Sequence, residues 1–288
     1  MWDLLTSHAE SEREPPTVWT EHDIEANGLT MHYRRAGNGA TPLVLVHGAT
    51  DNGGCWGRVA ASLGDRFAIF APDARGHGKS SAPMGDYSST TMATDLAAFI
   101  GAIGIDHPLV MGHSMGANTT LALVAGWPEL ARAAVLEDPV FRLDASAEQE
   151  IEARRARMRA DFDRRQSETH AEIVAAGKVA HPAWHDDEFE AWADAKKRVS
   201  AAFLFAGPAR APFDWRALLS RARVPVLLVT ADAPPLGNGI VTAGAADVAK
   251  GICPTLAVAH VPGAGHNIRR ERFDAFIGQV SPFLASHA

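Results

Sequence analysis

Ser114 sits between glycines in Gly112-His113-Ser114-Met115-Gly116, directly after the apolar run Pro108-Leu109-Val110-Met111. A serine hydroxyl is a weak nucleophile until it is exposed, aimed and set beside a base. A sharp strand-to-helix turn meets the first two needs, and flanking glycines let the chain crowd through it. Residues 117–126 read as the helix that follows. A nucleophile in this setting suits attack on a carbonyl carbon. Two further groups are then required: a base for the serine proton, and donors for the oxyanion that forms.

His266 is the candidate base. It lies in Val261-Pro262-Gly263-Ala264-Gly265-His266-Asn267, after the last apolar strand and before a helix expected over 270–280. The chain has 13 histidines. This one is singled out by its glycine-rich loop, and its near-neutral titration suits it to take and return a proton. The loop His47-Gly48-Ala49-Thr50 follows the apolar strand at 43–46. It brings the backbone N–H of Ala49 into play, and with that of Met115 this makes an oxyanion hole. His47 and Gly48 are candidates to touch substrate through the same loop, although His47, His77 and His113 read first as structural.

The elements that position these residues follow from the pattern of the rest of the chain. Runs at 18–25 and 29–35 around Asn27-Gly28 form a hairpin. Short apolar strands at 43–46, 67–71, 109–111, 133–136, 226–229 and 256–260 alternate with helical stretches such as 90–103. That alternation predicts an α/β fold, a mostly parallel sheet with helices on both faces, with ligands outside the carboxyl ends of the strands. Residues 139–220 break the rhythm and hold no strand candidate, so they are expected to form a helical cap inserted between two strands. The core then comprises 17–138 and 221–288, and residues 1–16 form a polar N-terminal arm.

The chain's 288 residues, 47% hydrophobic, suffice for a sizeable core. A net charge of −7 gives no attraction to nucleic acid or an anionic membrane. The basic run Arg154-Arg155-Ala156-Arg157 is interleaved with acids and reads as a solvated helix face. Cys55 and Cys253 are too few for a disulfide framework and fit a reducing compartment. No signal-peptide pattern opens the chain, and no apolar run approaches the ~20 residues that span a bilayer. The expected location is the cytoplasm. No zinc-type ligand spacing, phosphate loop or dinucleotide fingerprint is present, so no metal or cofactor is expected.

Taken with Pro72-Asp73-Ala74-Arg75-Gly76-His77-Gly78-Lys79-Ser80, these motifs occur in an order that resembles the α/β-hydrolase superfamily, esterase- and lactonase-like, with a helical cap. The resemblance implies a Ser-His-acid triad. It places the acid a few residues beyond the strand near 226–229, where Pro234 falls in the slot and Asp232 stands two positions early. In some members the acid follows the preceding strand instead, and there Asp138 lies 24 residues beyond Ser114. Asp138 is preferred to Asp232, with Glu137 third. A serine nucleophile disfavours dehalogenase and epoxide hydrolase chemistry in this family, since both use an aspartate.

The expected function is hydrolysis of a carboxylic ester or lactone through an acyl-enzyme. The alternatives are an amidase, a carbon–carbon bond hydrolase, a perhydrolase, or a non-catalytic small-molecule receptor on the same fold. Trp184, Phe189, Trp192, Phe203, Phe205 and Trp215 crowd the cap. Trp184, Trp192 and Trp215 are the candidates to line an apolar substrate entrance.

Overall fold

A computed structural model describes residues 19–143, 148–205 and 213–288. The expected N-terminal arm lies outside these residues. Strands β1 (Thr20–Ala26) and β2 (Leu29–Ala36) pair antiparallel, and Asn27 and Gly28 turn the chain between them with φ of 50° and 71°. Two left-handed residues in a row match the right-handed twist of the strands they join. The remaining strands are β3 (Thr41–Val46), β4 (Phe67–Pro72), β5 (Leu109–His113), β6 (Ala133–Glu137), β7 (Val226–Ala231) and β8 (Leu256–Val261). The order across the eight-stranded sheet is β1-β2-β4-β3-β5-β6-β7-β8, parallel from β4 onward.

Alternation along the strands fills a core on each face. Val44, Val46, Val110, Leu136 and Leu228 point to one side, and Leu43, Leu45, Met111, Val135 and Val229 to the other. Successive side chains of a strand face opposite ways, so a sheet covered on both faces needs unbroken apolar strands. The first core is closed by helices α2 (Ser89–Ala102) and α3 (Met115–Gly126). The second is closed by α1 (Gly57–Leu63), which follows a short helical turn at Gly53–Trp56, and by a C-terminal helix.

Between β6 and β7 the described residues form α4 (Glu148–Ser167), α5 (His170–Ala180), α6 (Glu188–Arg198), α7 (Ala201–Phe205) and α8 (Trp215–Leu219). α9 (Ala243–Ile252) follows β7, and α10 (Ile268–Glu271) and α11 (Phe273–Ser286) follow β8. The single helix expected over 270–280 is thus two. Arg272 breaks it with an extended φ of −140°, where its guanidinium turns back to donate to the Gly263 carbonyl. No helix among the described residues is long and apolar enough to cross a membrane.

The β5–α3 junction closes only because two residues lack side chains. A Cβ on Gly116 would lie 2.0 Å from the Val46 carbonyl oxygen, and one on Gly112 would lie 2.3 Å from that of Gly116. Both obstacles are backbone, which cannot step aside as a side chain does. Gly116→Ala is therefore expected to cost about 2–3 kcal/mol of stability through overpacking. Urea unfolding of the variant checks this, and an unshifted midpoint would show that α3 has room to move off β3.

Candidate active site

Four strand ends converge above the sheet. Ser114 follows β5, Asp138 follows β6, His266 follows β8, and the loop at 47–52 follows β3. Ser114 has φ of 52° and ψ of −112°, a strained conformation for a residue with a Cβ. Its N–H donates to the Glu137 carbonyl at 2.9 Å, and its carbonyl accepts from Asn118 N–H at 3.0 Å. Clamped between β6 and the first turn of α3, the side chain has one direction left. Its Oγ stands 3.0 Å from Nε2 of His266.

His266 is held from both sides. Its N–H donates to Asn238 Oδ1 at 2.8 Å, and its carbonyl accepts Nε2–H of His113 at 3.0 Å. Its Nδ1 lies 2.6 Å from Asp138 Oδ2. Asp138 is fully buried and also accepts backbone N–H groups from Ile240, at 2.9 and 3.0 Å, and from Val241, at 3.1 Å. An ionised carboxylate only accepts, so Nδ1 of His266 carries the proton and Nε2 is left to accept from the serine hydroxyl.

The structure thus brings Ser114, His266 and Asp138 into one hydrogen-bonded line. Asp232 stands outside it. That carboxylate accepts from His260 at 3.1 Å and from Gly263 N–H at 2.8 Å, holding the turn that leads into the His266 loop. The third candidate, Glu137, receives the N–H and guanidinium of Arg269, both at 3.0 Å. A buried carboxylate answers to whichever donor the fold brings to it, and only Asp138 meets His266.

His47 is not free to meet a substrate. It is fully buried, its Nδ1–H donates to the Gly48 carbonyl at 2.8 Å, and its Nε2 accepts from Ala74 N–H at 2.9 Å. Gly48 is needed for close approach, since a Cβ there would lie 2.6 Å from Nδ1 of His113. The two prospective oxyanion donors come from this loop and from α3. Met115 is the first residue of its helix, so its N–H has no intrahelical acceptor. The side chains of Ala49 and Met115 pack against the buried cluster formed by Tyr87, Met92, Val199 and Phe203.

The three tryptophans pack into apolar clusters. Trp184 and Trp192 pack with Ile173 and Phe189 inside the inserted helices. Trp215 stacks on Phe141 with ring centroids 4.6 Å apart, its indole N–H donates to the Arg142 carbonyl, and it belongs to the core beneath the sheet. An indole buries much area, and each of these finds it among other apolar side chains. The aromatic surface beside Ala49 and Met115 comes from Tyr87 and Phe203, the latter already conspicuous in the aromatic crowding of the sequence. Burial pushes the Cys55 thiol up to about 11, which leaves it inert as a nucleophile.

A model of the alpha/beta hydrolase family matches residues 43–279. N-formylmaleamate deformylase of Pseudomonas putida is 40% identical over 120 residues, covering 41% of this chain and 45% of that protein. Soluble epoxide hydrolase of a Corynebacterium species is 40% identical over 102 residues, 35% of each chain. The chain thus spans less than half the length of these curated relatives. Among solved structures, N-formylmaleamic acid deformylase from Pseudomonas putida S16 superposes with a TM-score of 0.73 at 26% identity, covering 91% of this chain and 100% of that one.

Three imidazoles around the site carry a pH signature. Burial holds His47 below its ordinary value, and holds His77 and His113 well below it. The unfolded chain takes up protons at these positions below about pH 6.5, whereas the folded chain takes them up only at lower pH. Their contribution is therefore complete above that pH and is lost as pH falls. The urea midpoint is expected to drop as pH falls below about 6.5, and His113→Asn to make that drop shallower. A flat midpoint would show that these rings ionise within the fold.

Proposed function

The chain belongs to the alpha/beta hydrolase family, and from that premise we propose that it is a serine hydrolase cleaving a carboxylic ester or lactone through an acyl-enzyme. The observation that carries the reading is the line from Ser114 through His266 to Asp138, with contacts of 3.0 and 2.6 Å. Ser114 Oγ attacks the carbonyl carbon as His266 Nε2 takes its proton. The oxyanion is held by the N–H groups of Ala49 and Met115. Asp138 fixes the imidazole tautomer and stabilises the imidazolium. His266 then protonates the departing alkoxide, and afterwards draws a proton from water to release the acid. The groups that do this all belong to the chain, and no cofactor is needed.

The substrate is a small molecule with an apolar acyl group. Ala49 and Met115 meet Tyr87, Val199 and Phe203, so an acyl chain beside the oxyanion hole lies against carbon. The charged side chains behind these loops are already matched with one another. Arg269 faces Glu137, Arg270 faces Glu188, and Lys196 faces Asp51. They neutralise the protein's own carboxylates, which favours an uncharged acyl group. In this reading the helices between β6 and β7 cap the site, with Val199 and Phe203 as their contribution to its wall.

Cleavage of a carbon–nitrogen bond is the second reading. The deformylase named above carries it, because the same serine and histidine can expel an amine once it is protonated. A panel of short and medium aryl esters, lactones and N-formyl amides separates the two. Ester turnover that vanishes in Ser114→Ala is the expected result. Turnover of N-formyl amides with esters untouched would move the reading to the second. Asp138→Asn is expected to lose roughly four orders of magnitude in kcat. Asp232→Asn, which removes only a brace of the His266 loop, is expected to lose far less, and the reverse ranking would reassign the acid.

A further inference from the structure

Thr50 has φ of 63°. A β-branched residue in the left-handed region is a backbone outlier and needs specific partners to stay there. It directly follows Ala49, so its conformation sets how the prospective oxyanion loop leaves β3. The partner comes from outside the sheet. Nζ of Lys196, on α6, donates to the Thr50 carbonyl at 2.9 Å, to Thr50 Oγ1 at 2.7 Å and to Asp51 Oδ1 at 3.1 Å. An ammonium has three donors, and these two consecutive residues take all of them.

The rest of α6 is arranged around this grip. Glu188, Trp192 and Lys196 recur every four residues and share one face of the helix. Glu188 accepts from Arg270 at 3.1 Å, and the Lys196 ammonium stands 5.3 Å from the Trp192 ring centroid. Asp194 accepts from the Asn52 side chain at 3.0 Å. Asp51 links the grip to the base. Its second oxygen lies 3.1 Å from Arg270 and 3.5 Å from Arg269, which sit in the helical turn just after His266. Burial pushes the Asp51 carboxyl up, but Arg270, Lys196 and Arg269 together hold it well below the usual range, so it is charged at neutral pH.

We propose that Lys196 is a positioning residue. It reaches from the inserted helices to hold the Thr50 turn left-handed, and thereby fixes the Ala49 N–H where the oxyanion forms. Seating of α6 on this loop is then a condition of catalysis, and an unseated insert leaves a serine that is paired with its base but short of one oxyanion donor. This rests on the serine-hydrolase reading. Asp51 keeps both arginines when Lys196 is removed, so the loss falls chiefly on the Thr50 turn.

The test uses an alkyl fluorophosphonate, which reports on Ser114 without knowledge of the substrate. The Oγ–phosphorus bond forms as the phosphorus–fluorine bond breaks, fluoride leaves, and His266 takes the hydroxyl proton. Lys196→Met is expected to slow labelling by about tenfold or more, the rate equivalent of one strained backbone residue left unsupported. On any ester that turns over, kcat should fall with KM little changed. The double variant Lys196→Met with Thr50→Gly is expected to recover most of the rate, because glycine takes positive φ at no steric cost. A structural role alone predicts no such recovery. Native-rate labelling of Lys196→Met, or a double variant as slow as the single one, would overturn the assignment. A native chain that is not labelled would sink the serine-hydrolase reading and this inference with it. Thermal midpoints identify a variant that has failed to fold, in which case Lys196→Gln, which keeps one donor site, takes its place and is expected to fall between the native chain and full loss.

Discussion

The contact between Asp138 and His266 is the interaction on which the arrangement of the site depends. Taking a carboxylate out of water costs several kcal/mol unless donors replace the lost solvation. Asp138 is fully buried, and its donors come from two segments remote in sequence, Ile240 and Val241 before α9 and His266 beyond β8. Satisfying one charge therefore fixes the path of both loops over the carboxyl end of the sheet. Ser114 is placed independently, by the turn between β5 and α3. His266 meets Ser114 at 3.0 Å because β5 and β6 are neighbours whose register sets Gly112 against Leu136 and His113 against Glu137.

A second set of buried charges shows the same logic without chemistry of its own. Glu137, Asp51 and Glu188 face Arg269, Arg270 and Lys196. Burial raises the Glu137 carboxyl, and Arg269 only partly offsets this. Such a network is poor evidence for stability, since apolar side chains of the same shape often do as well. Its value lies in geometry. Each ion pair works only over a short range of positions, so the set forces the end of β6, the loop after β3, the turn after His266 and α6 into one mutual arrangement.

The legible part of this structure is the local part. The central strands were legible as apolar runs, because β3, β5, β6 and β7 are buried on both faces and such a pattern needs no knowledge of its neighbours, while the exposed β1 was legible from the Asn27-Gly28 turn. Ser114 and His266 were legible for a related reason, since a glycine-flanked turn after a strand is a short-range signal. Asp138 and Asp232 both end a strand, and nothing within ten residues of either says which one His266 reaches. That choice depends on Asn238, Ile240 and Val241 folding back over β6. The choice of tryptophans as entrance residues rested on bulk and aromaticity, which indicate burial but not its location. Lys196 and Thr50 are 146 positions apart, and their sequence context is an ordinary charged helix and an ordinary glycine loop. The paired arginines three and four residues after His266 were the one local hint of that network.

The backbone itself marks the same place. Among the described residues, the non-glycine positions with positive φ are Asn27, Thr50, His107, Ser114 and Asp138. Asn27 belongs to a tight turn that favours such a residue. Thr50, Ser114 and Asp138 follow three neighbouring strands, β3, β5 and β6. A conformation costing 1–3 kcal/mol persists, on the order of magnitude expected for such outliers, only where its surroundings over-determine it. Each of the three has its own support: Gly112 and Gly116 for Ser114, the Ile240 and Val241 amides for Asp138, and Lys196 for Thr50. Two of these supports come from the sheet and the loops that cover it. The third comes from the inserted helices. The segment that packs Val199 and Phe203 against Ala49 and Met115 therefore also supports the strained turn beside Ser114, which ties the inserted helices to the geometry of the Ser114–His266–Asp138 line.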